Sequence, residues 1–332
     1  MELCFAWTKK NVSFSIILIS YRHDEYFQDA LMSIEQQNFD HNKMQLIVVC
    51  KSDGMPIEII QNRHFDFEVL TIIDDDYKIG PKVNRAIVLA KYEWISILDD
   101  DDIFTSNKLE KLSHIIEADL NSGYIHNAKY IFDSHSRIEY IQNSNLKAIF
   151  NDSLSSRSVS TDIDCEHNGS SITFRKDIIM RYQNILDTLE GGIDTFIYVC
   201  GKISNMNSHC INEALTGFFV NDYSREGREY ASLISNLRRQ CNSYNFMMVI
   251  PELSLEMKKL LSYRITTNSL KMFILDPSIK HNFAKLSALI REIIKNQRFT
   301  SEVFALILMA LLRTIMPRLS EKSYTIFRKK KG

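Results

Sequence analysis

The sequence predicts an α/β fold in which helices cover both faces of a mostly parallel, doubly wound sheet. Continuous apolar runs rich in Ile, Leu and Val alternate with stretches of helical spacing, a pattern typical of strands buried on both faces. The length of 332 residues is enough for a substantial core. With 10 glycines and no GxGxxG segment, the chain has little room for a dinucleotide or phosphate loop, so nicotinamide and P-loop chemistry are disfavoured.

Four strands are predicted in the first hundred residues. They are the apolar runs Ser13–Ile19, Gln45–Cys50, Phe67–Ile73 and Tyr92–Leu98. Helical spacing is found at Tyr26–Gln37, Lys82–Lys91 and Asn107–Ala118. Strands that alternate with helices in this way predict βαβ units and hence a parallel sheet. From about residue 224 the sequence is mainly helical, so we expect an α/β domain over residues 1–223 and a helical region over residues 224–332.

Four consecutive aspartates, Asp99 to Asp102, follow the fourth predicted strand. Crowded carboxylates repel one another unless a cation or solvent compensates, and ligands of open α/β sheets sit outside the carboxyl ends of strands. The acidic run therefore predicts a site for a divalent cation such as Mg²⁺ or Mn²⁺. The alternative is an exposed acidic turn that only caps the next helix.

Charge and cysteine usage narrow the class of protein. Lys and Arg number 40 against 41 Asp and Glu, so no overall basic field would recruit nucleic acid. The six cysteines are scattered without a CxxC pair, unlike a disulfide framework or a zinc module. No N-terminal segment has the pattern of a secretory signal. We therefore expect a reduced, cytoplasmic protein.

The order of these features resembles that of the family 2 glycosyltransferases. The resemblance is carried by the end of the first strand at Ser20 and Tyr21, by the segment around Asn84, and by the acidic run. Its most specific element matches the family's DxD motif through Asp99, Asp100 and Asp101. The resemblance implies a Rossmann-like, A-type glycosyltransferase fold with residues 1–223 as the catalytic domain. It also implies inverting transfer of a sugar from a nucleotide-diphospho-sugar to a hydroxyl of a glycan or a lipid-linked acceptor.

The resemblance assigns roles within the acidic run. Asp101 would be the main protein ligand of the metal, and Asp99 would lie near the metal and the ribose of the donor. Asp100 and Asp102 would position the sugar or orient the loop. The metal would neutralise the charge that builds up on the departing nucleoside diphosphate.

Other donor contacts are expected near the ends of the other strands. Ser20 and Tyr21 follow the first strand, and Asp53 lies close to where the family carries an acidic residue facing the nucleotide base. Lys82 and Asn84 begin a helix, where a lysine and backbone N–H groups can approach a phosphate. An ordinary exposed first turn would explain those two residues equally well.

A second acidic run, Asp74 to Asp76, follows the third strand. It either contacts the donor or the metal, or it forms a solvated turn.

An inverting displacement needs a base for the proton of the acceptor hydroxyl, and a carboxylate in a partly desolvated pocket can serve. The family places this acid, usually in a Glu-Asp pair, at the start of a late helix. The corresponding residues are Ile193 and Asp194, so Asp194 is the candidate base although the glutamate is replaced. The alternative is that Asp194 only caps the helix. Residues 168–174 are predicted to form a strand on the acceptor side, where Ser170 and Ser171 leave room for a sugar or simply pack.

The segment Val303–Met316 is apolar nearly all round and is followed by basic residues that end in Arg328 to Lys331. It is shorter than the ~20 residues needed to span a bilayer, so no spanning helix is expected. Either this helix is buried in protein, or it attaches the chain peripherally to a membrane with its lysines near anionic headgroups.

Two other functions fit parts of the pattern. An Asp-x-Asp phosphotransferase or phosphatase would use Asp99 as nucleophile, with Asp101 and Thr105 nearby, although that motif belongs on a first strand. A non-catalytic nucleotide-sugar-binding protein of the same fold is the other alternative, since Lys51, Ile193 and Asn221 depart from the family pattern.

Overall fold

The chain divides into two units. A computed structural model describes residues 12–20, 24–52, 56–132, 165, 167–219, 230–276, 279, 283–295 and 301–315. The first unit is formed by residues Met1–Asp76, Lys82–Gln183 and Cys200–Phe219, and the second by Tyr77–Pro81, Asn184–Val199 and Val220–Gly332. The functional division at residues 223 and 224 stays a prediction.

An eight-stranded sheet forms the centre of the first unit, in the order β3-β2-β1-β4-β7-β6-β8-β5. In chain order the strands are β1 (Phe14–Ile19), β2 (Met44–Cys50), β3 (Glu68–Ile73), β4 (Trp94–Asp99), β5 (Ile103–Phe104), β6 (Ser122–Phe132), β7 (Ile172–Arg175) and β8 (Asn207–Phe219). The helices up to β8 are α1 (Asp24–Glu35), α2 (Pro56–Gln61), α3 (Ile79–Leu89), α4 (Lys108–Ala118), α5 (Lys176–Met180), α6 (Gln183–Leu186) and α7 (Ile193–Ile203).

Strands β1 to β4 are parallel, which confirms the predicted α/β class. Strand β1 pairs with β2 on one side and β4 on the other, and β3 lies outside β2. Strand β7 is antiparallel to β4 and to β6, while β6 and β8 are parallel. The carboxyl ends of β1 to β4, β6 and β8 therefore share one edge of the sheet with the amino ends of β5 and β7. We call this the carboxyl edge.

The parallel strands β1, β2 and β4 are buried on both faces, which explains their mainly apolar sequences, whereas the edge strand β3 is partly exposed. All six residues of β1 and all seven of β2 are buried. On one face, Leu18, Leu46 and Leu98 pack with Phe27 of α1 and Leu112 of α4 in one hydrophobic cluster. Burial of side chains of this size contributes about 1.5–3 kcal/mol each. The sheet therefore gives the loops at the carboxyl edge a rigid support.

The predicted strand over residues 168–174 is partly wrong. Only β7, from Ile172, is extended, and Gly169–Ser171 forms a short 3-10 turn. The backbone of Asn168 has φ 75°, in the left-handed region that asparagine tolerates better than most residues. The Ser171 N–H donates to the Asn168 carbonyl at 3.0 Å and closes the turn.

One pair of cysteines departs from the expected reduced state. Cys165 and Cys210 are joined by a disulfide. Among the other cysteines that the structure describes, Cys50, Cys200 and Cys241 are buried thiols outside any disulfide. The expectation of thiols without disulfides is therefore wrong for this pair.

The C-terminal part of the second unit is helical, as predicted. It consists of α8 (Tyr230–Met247), α9 (Leu255–Leu275), α10 (Phe283–Lys295) and α11 (Ser301–Ile315). Helix α9 begins at the N-cap Ser254, whose hydroxyl accepts from the Met257 N–H. A hydrophobic core joins the last three helices through residues such as Phe273, Ile293 and Leu306.

Helix α11 is neither fully buried nor fully exposed. Val303, Leu306, Met309 and Ala310 belong to the core of the second unit. On another face, Phe304 is 67% exposed and Leu308 is 51% exposed. None of the described helices combines the length and apolar composition needed to cross a bilayer. One side of this helix is therefore buried in protein, as one of the two alternatives predicted, and attachment to a membrane stays a prediction.

Candidate active site

The acidic run lies at the carboxyl edge, where the central strand β4 ends. Asp99 is the last residue of β4, and the Asp102 N–H donates to the Asp99 carbonyl at 3.2 Å, so the four residues form a turn. Their burial alternates along the turn. Asp100 and Asp102 are 5% and 1% exposed, whereas Asp99 and Asp101 are partly exposed. The first and third carboxylates are thus the ones that solvent or a ligand can reach.

Asp100 connects this turn to the end of β1. The Ser20 hydroxyl donates to Asp100 Oδ2 at 3.2 Å, and the Ser20 N–H donates to the Val49 carbonyl at 2.8 Å. Both Ser20 and Asp100 are buried. The structure therefore brings these two predicted donor-binding residues together, and their bond fixes the turn against the neighbouring strands.

Asp99 is held by the short turn that precedes β7. The Asp99 N–H donates to the Ser170 hydroxyl at 3.1 Å. A Cβ atom on Gly169 would lie 3.9 Å from Asp99 Oδ2, so the glycine leaves the backbone close to this carboxylate. The serines predicted to line an acceptor site thus include one that anchors the acidic turn.

Asp102 is held by β8, which lies three strands away from β4 in the sheet. Its Oδ1 accepts the Phe219 N–H at 3.0 Å, at the end of β8. Burial, together with the neighbouring Asp101 charge, raises the pKa of Asp102 to about 7. This carboxylate serves the structure of the turn and is inaccessible to a ligand.

A buried lysine under the turn was missed by reasoning from the sequence. Lys108 is 0% exposed, and its Nζ donates to the Ser170 carbonyl at 2.6 Å and to Thr216 Oγ1 at 3.0 Å. Burial holds its pKa well below the usual lysine value, and the Asp102 charge opposes that shift. Helical spacing could have indicated it, because Lys108, Leu112 and Ile116 recur every four residues on the buried side of α4.

Lys82 and Asn84 on α3 are 1% and 8% exposed. The alternative of an ordinary exposed first turn is therefore wrong. Burial lowers the pKa of Lys82 to about 8. Their predicted part in donor binding stays a prediction.

The second acidic run is partly structural. Asp74 is buried, forms an ion pair with Arg85, and accepts the Asp76 N–H at 2.8 Å. Asp75 is exposed and accepts the Ser52 N–H at 2.9 Å, which links the ends of β2 and β3. The solvated-turn alternative thus describes Asp75 and Asp76 but not Asp74.

Asp194 belongs to the second unit, in the first turn of α7. Its Oδ1 accepts the Thr195 N–H at 2.8 Å, which supports a contribution to the helix start. A carboxylate has several acceptor sites, so this bond does not exclude a role as base. The preceding loop is fixed by Ser243, whose hydroxyl accepts the Glu190 and Gly191 N–H groups at 3.0 and 3.2 Å.

Tyr21 and Asp53, which were predicted to contact the donor, lie outside the described residues. Within the described part of the chain, no three Asp, Glu, His or Cys side chains converge as a metal site. Where Mg²⁺ binds together with a substrate phosphate, the protein usually supplies one or two carboxylates. Phosphate oxygens and water complete the coordination shell of the ion. The accessible pair Asp99 and Asp101 fits that requirement.

A sheet of this topology, with an acidic turn at the end of its central strand, defines an A-type glycosyltransferase fold. Solved structures agree with this assignment. Residues 1–349 of S. aureus TarS superimpose with a TM-score of 0.57 at 14% identity, over 96% of this chain and 91% of that one. The crystal structure of the same protein with UDP-GlcNAc gives a TM-score of 0.52 at the same identity and coverage.

The chain belongs to glycosyltransferase family 2, because residues 15–180 match the family model "Glycosyl transferase family 2". The putative teichuronic acid biosynthesis glycosyltransferase TuaG of Bacillus subtilis is 26% identical over 98 residues, which are 29% of this chain and 39% of that protein. An uncharacterized glycosyltransferase of Haemophilus influenzae is 28% identical over 114 residues, 34% of this chain and 37% of that protein. The chain thus spans less than two-fifths of the length of these relatives.

Proposed function

We propose that the protein transfers a sugar from a nucleotide-diphospho-sugar to a hydroxyl of a glycan or lipid-linked acceptor, with inversion and with a divalent cation. Family membership supports the reaction class. The observation that carries the finer proposal is the alternating burial of the acidic turn, which leaves Asp99 and Asp101 accessible at the carboxyl edge.

In this proposal Asp101 is the main metal ligand, and Asp99 contacts the ribose and supports the metal. A bound Mg²⁺ or Mn²⁺ would supply Lewis acid stabilisation of the departing diphosphate. Asp100 acts through Ser20 to hold the turn rather than through a free carboxylate, because both side chains are buried. Lys82, Asn84, Tyr21 and Asp53 complete the proposed donor contacts.

Asp194 is the proposed base. The carboxylate takes the proton of the acceptor hydroxyl as that oxygen attacks the anomeric carbon, while the bond to the diphosphate oxygen breaks on the opposite side. The hydrogen bond from the Thr195 N–H fixes one oxygen of the carboxylate and so fixes its orientation.

Turnover of nucleotide sugars tests this proposal. The purified protein would be incubated with UDP-, GDP- and dTDP-sugars and MnCl₂, and the release of nucleoside diphosphate measured with and without EDTA. UDP-GlcNAc is the first donor to test because TarS, a protein of similar fold, has been crystallised with it. We expect release that EDTA suppresses. Binding without turnover of any donor would favour the non-catalytic alternative, and a trapped phosphoaspartate would favour the phosphotransferase.

We further propose that α11 attaches the protein peripherally to the cytoplasmic face of an anionic membrane. Phe304 and Leu308 present apolar surface one turn apart on this helix. The sequence after α11 carries Arg318, Lys322 and the basic run 328–331, which complements anionic headgroups at about 1 kcal/mol per charge near the surface. A lipid-linked acceptor would be presented at that surface.

The double change Phe304→Ser and Leu308→Ser tests this attachment without opening the core. We expect flotation with phosphatidylglycerol vesicles to fall at least about tenfold, because two exposed apolar side chains no longer enter the lipid. The matched control changes Val88 and Leu89 to Ser, since both are 50% exposed on α3. Equal flotation of the two variants would reject attachment through α11. Deleting the whole helix is a poorer test, because Val303 and Leu306 would leave the core.

A further inference from the structure

The buried lysine beneath the acidic turn is part of a closed polar cluster. We define the Lys108 cluster as Lys108, Asn127, Ser170 and Thr216. Thr216 Oγ1 donates to the Ser170 carbonyl at 2.9 Å and accepts from Asn127 Nδ2 at 3.0 Å as well as from Lys108. The Lys108 Nζ also lies 4.0 Å from the centroid of the Phe104 ring. An ammonium group is costly to bury unless it is compensated in this way.

The cluster is joined to both ends of the acidic turn. At one end, the same Ser170 that accepts Lys108 through its carbonyl accepts the Asp99 N–H through its hydroxyl. At the other end, Asp102 Oδ1 accepts the N–H of Phe219 on β8, the strand that also carries Thr216 of the cluster. The residue that lies between these two anchors and is partly exposed is Asp101. A displacement of Ser170 or Asp102 would therefore move the carboxylates that face solvent.

The hydrogen bonds of Lys108 carry its link to the turn. Its Nζ donates to the Ser170 carbonyl, and the Ser170 hydroxyl accepts the Asp99 N–H, so the lysine fixes the group that holds the first carboxylate. Lys108 cannot exchange with solvent, since it is 0% exposed. It also cannot contact a donor or a metal itself, for the same reason.

We propose that Lys108 is a positioning residue of the metal and diphosphate site, which holds the Asp99–Asp102 turn in the geometry that binds a divalent cation. This inference rests on the proposed function of the acidic turn. Metal sites require their ligands to be held within about 0.5 Å, and changes to groups that orient ligands typically lower metal affinity about 10- to 100-fold.

The test is the affinity for Mn²⁺, measured by electron paramagnetic resonance with MnCl₂ and either UDP or GDP. Lys108→Met keeps much of the aliphatic stem and removes the hydrogen-bond donors to Ser170 and Thr216. We expect about tenfold weaker Mn²⁺ binding or more. A merely structural lysine would lower the fraction of folded protein, and so the number of sites, but not the affinity of the sites that remain.

The matched control is Lys176→Met. Lys176 Nζ also donates to two acceptors, the Val88 and Ala90 carbonyls at 3.0 and 2.8 Å. It lies near the amino end of β4, and the strand from Trp94 to Asp99 separates it from the turn by about 17 Å. We expect this variant to lose stability but to bind Mn²⁺ with unchanged affinity.

Three outcomes would overturn the inference, and they differ in what else they reject. Equal Mn²⁺ affinity of Lys108→Met and Lys176→Met rejects the positioning role alone. If Lys108→Met does not fold, Thr216→Val decides, because it keeps the lysine and removes one acceptor; unchanged affinity in that variant also rejects the role. Absence of Mn²⁺ binding by the unaltered protein rejects the proposed metal site and the inference with it.

Discussion

Asp101→Asn is expected to reduce metal-dependent release of nucleoside diphosphate by about a thousandfold, equivalent to roughly 4 kcal/mol in the activation free energy. The amide has the shape of the carboxylate but no charge, so it binds a divalent cation weakly and leaves the diphosphate charge uncompensated. Asp101 is partly exposed, so the fold should be retained. Initial rates over a range of MnCl₂ concentrations, together with the melting temperature, measure both effects.

The control for this variant is Asp66→Asn. The Asp66 side chain is 77% exposed and precedes β3, at the edge of the sheet opposite to the acidic turn. The Asp66→Asn variant makes the same chemical change as Asp101→Asn and should leave turnover unaltered. Near-normal turnover of Asp101→Asn would remove Asp101 from its role as metal ligand.

Asp194→Asn is expected to lower transfer to the acceptor by about 10²- to 10⁴-fold, which is the range that general-base catalysis contributes. The asparagine oxygen can still accept the Thr195 N–H, so the start of α7 should persist. Donor binding should remain, since the proposed donor contacts lie on other residues. Transfer is measured with acceptor present, and donor binding is measured separately by the ligand-induced rise in melting temperature.

Asp187→Asn is a suitable comparison, because Asp187 is exposed and belongs to the same unit as Asp194. It should transfer sugar at the normal rate. A fully active Asp194→Asn variant would assign the base to another residue. Loss of both donor binding and stability would indicate that Asp194 serves mainly the start of its helix.

The parallel strands at the centre of the sheet could be predicted because their burial leaves a direct mark on the sequence, a run of apolar residues. A strand buried on both faces is apolar at nearly every position. Phe14–Ile19 and Met44–Cys50 show this except at Ser15 and Gln45, whose side chains bond to each other at 2.8 Å. Asp99 to Asp102 could be placed at the end of β4 for the same reason. The roles of these aspartates in binding the metal and the donor were predicted from the family resemblance, because the strand pattern alone does not assign them.

The second half of the sheet could not be predicted in this way. Strand β6 contains His126, Asn127 and Lys129, and the burial of the first two is compensated by partners distant in sequence. His126 Nε2 lies 2.7 Å from the His167 carbonyl, and Asn127 bonds to Thr216. Local hydrophobic periodicity does not reveal partners of this kind, because they depend on the tertiary fold.

The same limitation applies to the candidate site. The residue types alone do not distinguish the four carboxylates, and only the family resemblance assigned them different roles, whereas the structure separates the buried Asp100 and Asp102 from the accessible Asp99 and Asp101. That division arises from Ser20, Ser170 and the Phe219 N–H, which approach the turn from three other strands or turns. Only the folded chain brings these groups together.

Anomalous diffraction from crystals soaked with MnCl₂ and UDP or GDP would locate the cation. We expect an anomalous peak at the carboxyl edge, within coordination distance of Asp101 and bridged to the diphosphate. A nucleotide bound there without a Mn²⁺ peak at Asp99 or Asp101, or a peak elsewhere on the protein, would contradict the assignment of the acidic turn as the metal and diphosphate site.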